Sequence, residues 1–154
     1  MDIGSVFYPN TAGRDPVCVL AVLHNEQERT QLTRILRHST WIVHAVSCFE
    51  QAAGILHTSP VGVVIAQYNT CGLLSWRDLL EATRRLLPAP RVVVTDQLAD
   101  QAIWAEALNL GAHDFLVQPF DPQEVFHVLA CAWLSWKNEK NLRRKGVAAR
   151  TSCA

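Results

Sequence analysis

Five short apolar runs, each followed by a segment with helical spacing, constrain this chain more than any other feature. Val17–Leu23 is continuously apolar, as a strand buried on both faces requires. Glu26–His38 follows, with Leu32, Ile35 and Leu36 at helical spacing and acids in its first turn. Trp41–Ser47 is rich in strand formers, Phe49–His57 reads as a short helix, and Val61–Ala66 after Pro60 is a second buried strand. Trp76–Leu87 carries Leu79, Leu80, Leu86 and Leu87 and is ended by Pro88 and Pro90. Arg91–Thr95 is the next strand, and Gln101–Leu110 is a helix closed by Gly111. Phe115–Val117 is a short strand, and Pro122 suits the first turn of a last helix from about Asp121. Such alternation calls for right-handed crossovers and a parallel sheet with helices on both faces. The expected fold class is α/β, a (βα)5 doubly wound parallel sheet.

At 154 residues the chain is long enough for one domain with an ordinary core. A hydrophobic content of 49% against 18% charged residues excludes wholesale disorder. No apolar run approaches the roughly 20 residues of a membrane span. The first residues have neither a basic start nor an apolar segment, so no secretory signal is read there. Cysteines 18, 48, 71, 131 and 153 are odd in number, scattered and without CxxC spacing, which suits a reducing cytosol. A cytoplasmic location is the expectation.

The net charge is zero, but it is unevenly placed. Residues 137–154 hold six basic side chains (Lys137, Lys140, Arg143, Arg144, Lys145, Arg150) and one acid, Glu139. Residues 1–136 hold eight basic and thirteen acidic ones. Three segments are expected: an irregular arm over 1–16, an acidic globule over 17–136, and a basic helical extension over 137–154. The last helix is expected to run to about Lys145 and stop before Gly146. With only small residues after it, no output domain is expected.

Sites in doubly wound sheets lie beyond the carboxyl ends of the strands. The residues to inspect are therefore Leu23-His24-Asn25, Ala66-Gln67-Tyr68-Asn69, Thr95-Asp96 and Gln118-Pro119. No GxGxxG follows the first strand and no P-loop is present, so a dinucleotide or nucleotide enzyme finds no support.

The segment ALNLGAHDFLVQPFDPQEV, Ala107–Val125, resembles the CheY-like receiver domain of response regulators. VCVLAVLHNEQER, the strand after Pro60 and the strand ending in Thr95 extend the likeness over about 17–136. The resemblance implies a flavodoxin-like sheet with strand order 2-1-3-4-5. It also implies an acidic pair holding Mg²⁺, an aspartate accepting phosphoryl, a Thr or Ser, and a Lys before a cis proline. Carried over, the acidic pair falls on Leu23 and His24, and the acceptor falls on Ala66, six residues after Pro60. The hydroxyl residue is Thr95, the Lys position is Gln118 followed by Pro119, and the aromatic switch position is Phe115.

The implied chemistry fails on these residues. Ala66 has no nucleophilic carboxylate, and Gln67, one register away, offers only an amide. No acid occurs between Glu50 and Asp78. Leu23 and His24 offer Mg²⁺ no carboxylate, and Gln118 has no ammonium for a phosphoryl group. The chain is therefore read as a pseudo-receiver with no catalytic residue, metal ligand or cofactor, its Mg²⁺ site lost. Its expected role is phosphorylation-independent protein interaction in two-component or phosphorelay signalling of a bacterial type. Alternatives are a small-ligand protein or enzyme on the same scaffold, or nucleic-acid contact through the basic tail.

Bland readings weigh against single residues. His24 lacks HxH or HxxxH spacing to another histidine and is read as solvated or structural, and Cys71 as an inert thiol. Phe115 is read as packing, and Gln67, Tyr68 and Asn69 as lining a polar dead pocket. Phe126, Leu129, Ala130 and Trp133 follow core spacing on the last helix. Trp133 and Trp136 lie near the end of the domain, and with Trp104 they are candidates for an aromatic interface. In the resembled family the face of helix 4, strand 5 and helix 5 carries dimers, so a homodimer there is expected, with no membrane and no nucleic-acid partner.

Overall fold

A computed structural model describes residues 16–69, 75–98 and 100–152, with side chains through Gly146. The arm over 1–15, Cys71 and Cys153 lie outside the described residues. Five strands alternate with five helices: β1 Cys18–Val22, α1 Glu26–Leu36, β2 Ile42–Val46, α2 Phe49–Thr58, β3 Val63–Gln67, α3 Trp76–Arg84, β4 Arg91–Asp96, α4 Gln101–Leu110, β5 Asp114–Val117 and α5 Pro122–Ser152. The sheet is parallel throughout, in the order β2-β1-β3-β4-β5. This is the doubly wound architecture that the alternation implies, with the strand order of a flavodoxin-like sheet.

The helices start where local chemistry satisfies their orphan amides. Asn25 accepts from Gln27 N at 2.8 Å, and Asp100 accepts from Ala102 N at 2.8 Å. Ser75 and Asp78 form a reciprocal capping box on α3. Gly111, at φ 114°, closes α4 in the left-handed region that favours glycine. α3 stops at Arg84, short of Leu87: Leu86 N turns back to Thr83 O at 3.0 Å, and Pro88 disfavours a helical Leu87.

Alternation along each strand divides the core in two. Val19, Ala21, Leu23, Val63, Ile65, Val93 and Leu116 pack under α1 and α5. Leu20, Val64, Ala66, Val92, Val94 and Phe115 pack under residues of α2, α3 and α4. β2 is an edge strand, and Ile42 there is exposed.

α5 departs from expectation twice. It runs through Gly146 to Ser152, since a helical glycine costs only about 1 kcal/mol against alanine. Trp133 and Trp136 are not surface anchors; each is 4% exposed and lies in the core under α1 and α5. α5 runs back along the sheet, and its middle turns reach the amino ends of β3 and β4. Gly62 opens the space there: a Cβ on it would stand 2.9 Å from Trp136 Cε3 and 3.2 Å from Trp133 Cδ1. Trp136 Nε1 donates to Pro88 O at 3.3 Å. Arg91 pins the same helix, donating to Ser135 Oγ and Glu139 Oε2, each at 3.0 Å.

Candidate functional site

The carboxyl ends of β1, β3, β4 and β5 converge on one mouth. Strand register decides which side chains reach it. Gln67 stands level with Thr95, and Thr95 level with Leu116. Gln67 shares the face of Ile65, while Ala66 turns with Val64 into the opposite core. The strand-3 position facing Thr95 is therefore Gln67, and the expectation for Ala66 is corrected by one residue. Counting six residues from Pro60 stops one short, on the side chain that turns into the opposite core.

Thr95 and Gln118 do meet, as the sequence places them. Thr95 is fully buried and donates its hydroxyl to Leu116 O at 2.7 Å. Gln118 Nε2 donates to Thr95 Oγ1 at 3.3 Å, and the bond from Gln118 to Pro119 is cis. Leu23 is buried in apolar surroundings, and His24 is exposed beside it. Neither brings a carboxylate to the mouth. Phe115 is 7% exposed and packs on the α4 side, while Trp104 on α4 is 49% exposed.

Glu28 and Glu106 escape motif reading, and the roles of Asp96 and Tyr68 at the strand ends emerge only from the fold. Glu28, in the first turn of α1, is 7% exposed and accepts from Gln97 Nε2 at 3.3 Å, which ties the segment after β4 to α1. Its spacing with Leu32 and Leu36 is the signal that places it inward. Asp96 is 4% exposed, and its Oδ2 accepts from Leu98 N at 3.4 Å. Buried acids thus border the mouth from β4 and α1 although none stands at the end of β1 or β3. Tyr68 donates its hydroxyl to Glu106 Oε2 at 2.8 Å, and Arg77 pairs with the other oxygen of Glu106. This clasp joins the end of β3 to α3 and α4.

Among the described residues, no group of three or more His, Cys, Asp or Glu side chains is placed to hold a metal ion. No described helix is long and apolar enough to cross a membrane. Burial pushes the Cys18 thiol up from its ordinary pKa, away from thiolate reactivity.

No protein-family model matches the chain. It is 30% identical over 116 residues to the two-component response regulator ORR11 of Oryza sativa subsp. indica, spanning 73% of this chain and 78% of that protein. It is 33% identical over 52 residues to the chemotaxis protein CheY of Thermotoga maritima, spanning 34% and 43% of the two chains. Among solved structures, a signal receiver domain of an HD domain-containing protein from Pseudomonas fluorescens superposes with a TM-score of 0.71 at 22% identity. That match covers 80% of this chain and 99% of the other and shows a shared fold. The relatedness to ORR11 over most of both sequences goes further: the chain belongs to the response-regulator receiver family of two-component signalling.

Proposed function

We propose that this receiver works without phosphorylation, as a non-enzymatic, cytosolic protein-interaction module. The observation that carries the reading is Gln67 facing Thr95. An amide stands where an aspartyl nucleophile is needed, and an amide carbon bears no nucleophilic oxygen of the required basicity. Three further residues point the same way. Gln118 brings a neutral amide where an ammonium would neutralise phosphoryl charge, and Leu23 and His24 bring no hard anionic ligand for Mg²⁺. The fold, the buried Thr95 and the turn at Pro119 remain around this altered centre.

The partner surface is the α4 side. Trp104 and Leu108 lie one turn apart and are 49% and 39% exposed, and Leu98 near the start of α4 is 59% exposed. Exposed aromatic and aliphatic groups together favour a protein contact. A second copy of the chain is the proposed occupant. The buried Trp133 and Trp136 contribute nothing to that contact.

The test is incubation with acetyl phosphate and Mg²⁺ followed by intact-mass measurement. The unmodified mass is expected after prolonged incubation. A phosphoryl adduct that is labile to hydroxylamine, as an acyl phosphate is, overturns the reading.

A further inference from the structure

Three oxygen atoms around the mouth lack the partners that burial demands. Gln67 Oε1, Gln118 Oε1 and Glu28 Oε2 are each buried without a hydrogen-bond donor among the described residues. The three side chains are 6%, 6% and 7% exposed. An unsatisfied buried acceptor costs about 1–3 kcal/mol, and more when charged. Native structures carry few of these, and an ion or water commonly explains them.

The orientation of Gln118 is fixed by chemistry. The one hydroxyl proton of Thr95 is committed to Leu116 O at 2.7 Å. Toward Gln118 the hydroxyl is therefore an acceptor, and the amide must present its NH₂ at 3.3 Å. The amide oxygen is left aimed away, with no donor to meet it. The other two residues belong to the same connected frame. Gln67 is the register partner of Thr95. Gln118 N donates to Asp96 O at 2.9 Å, and the next residue, Gln97, reaches Glu28 Oε1 at 3.3 Å.

We infer that this mouth binds a dehydrated monovalent cation (Na⁺, K⁺ or ammonium) through the Glu28 carboxylate and the side-chain carbonyls of Gln67 and Gln118. Hard oxygens suit hard cations. Asp96 follows Thr95 on β4 and so turns to the opposite face, with Val94; on the face of Thr95, one carboxylate with two neutral carbonyls balances a single positive charge. A buried carboxylate needs a counter-charge, which a water molecule does not supply. Water also has two protons for three acceptors. The inference is independent of whether the chain accepts phosphoryl groups.

The test compares chlorides of K⁺, Na⁺, ammonium and choline at equal ionic strength, reading ¹H–¹⁵N spectra of the full chain. At least one of the three small cations is expected to shift the Gln67 and Gln118 side-chain amides and the Thr95 backbone amide saturably, with choline inert. Glu28→Gln should weaken that cation at least tenfold. Gln118→Lys places its own ammonium in the cradle and should abolish the response while the spectrum stays dispersed. Identical spectra in all four salts, the signature of a buried water, overturn the inference. So does a response that survives both substitutions, or one that Mg²⁺ evokes at lower concentration than any of the three.

Discussion

On the proposed reading Gln67 and Gln118 set the chemistry of the mouth, and variants can separate that effect from the fold. Gln67→Asp alone is expected to leave the chain unmodified by acetyl phosphate, since no carboxylate from β1 would hold Mg²⁺ beside it. The triple variant His24→Asp, Gln67→Asp, Gln118→Lys supplies nucleophile, metal ligand and ammonium together. An acyl-phosphate adduct by intact mass is expected from it and from no single variant. Thr95, Gln118 and Pro119 were legible in the sequence because each sits in a short motif. The strand-3 position was not, because a miscount of one residue along β3 exchanges the face of Gln67 for that of Ala66. Glu28 was missed, and the burial of Asp96 went unread, because motif positions alone do not report burial.

His113 gives the fold a pH signature at the same scale. Its pKa is lowered from 6.5, chiefly by burial and also by Arg91, with Asp114 opposing. Its Nδ1 is buried without a donor or acceptor partner among the described residues. The unfolded chain therefore takes up this proton at a higher pH than the folded one. The stability it permits is full above pH 6.5 and falls as pH drops below that value. Urea titrations across this window should show the fall, and His113→Gln should flatten it.

At the scale of elements, α5 is the part whose role the sequence misreads. Its aromatic residues and its basic run look alike as surface features, yet burial separates them at Trp136. Gly62 is the cause, and its small size is invisible to any periodicity argument. Gly62→Ala is expected to cost about 1–3 kcal/mol by overpacking, and Trp136→Ala about 3–5 kcal/mol by cavity formation. Thermal unfolding checks both. Beyond Trp136 the helix is held by Arg91 on Glu139 and by cation–π contacts of Lys137 over Trp133 at 5.9 Å and Lys140 over Trp136 at 5.0 Å. Truncation after Lys145 keeps these contacts and should leave the melting temperature within error. Truncation after Trp136 removes them and should lower stability by about 1 kcal/mol, since such partly exposed pairs contribute little each. The helix–strand alternation itself was legible, because the runs that became β1, β3 and β4 are continuously apolar and demand burial on two faces, while the edge strand β2 showed only in its strand-forming residues.

For the whole molecule, the proposed reading is of an acidic globule with a basic helical extension that has lost the charges a phosphoryl-accepting mouth needs. On that reading the exposed apolar groups of the α4 side, Trp104 and Leu108, are its means of contact. Trp104→Lys should shift any self-association, read by light scattering, toward the 17.2 kDa monomer while the melting temperature is kept. The most direct measurement of the central claim is the ¹H–¹⁵N spectrum with beryllofluoride and Mg²⁺, which together mimic an aspartyl phosphate. The expected result is that the amides of Gln67, Thr95 and Gln118 do not move at any concentration of the complex. A saturable shift at those three positions would show a working acceptor site and contradict the claim.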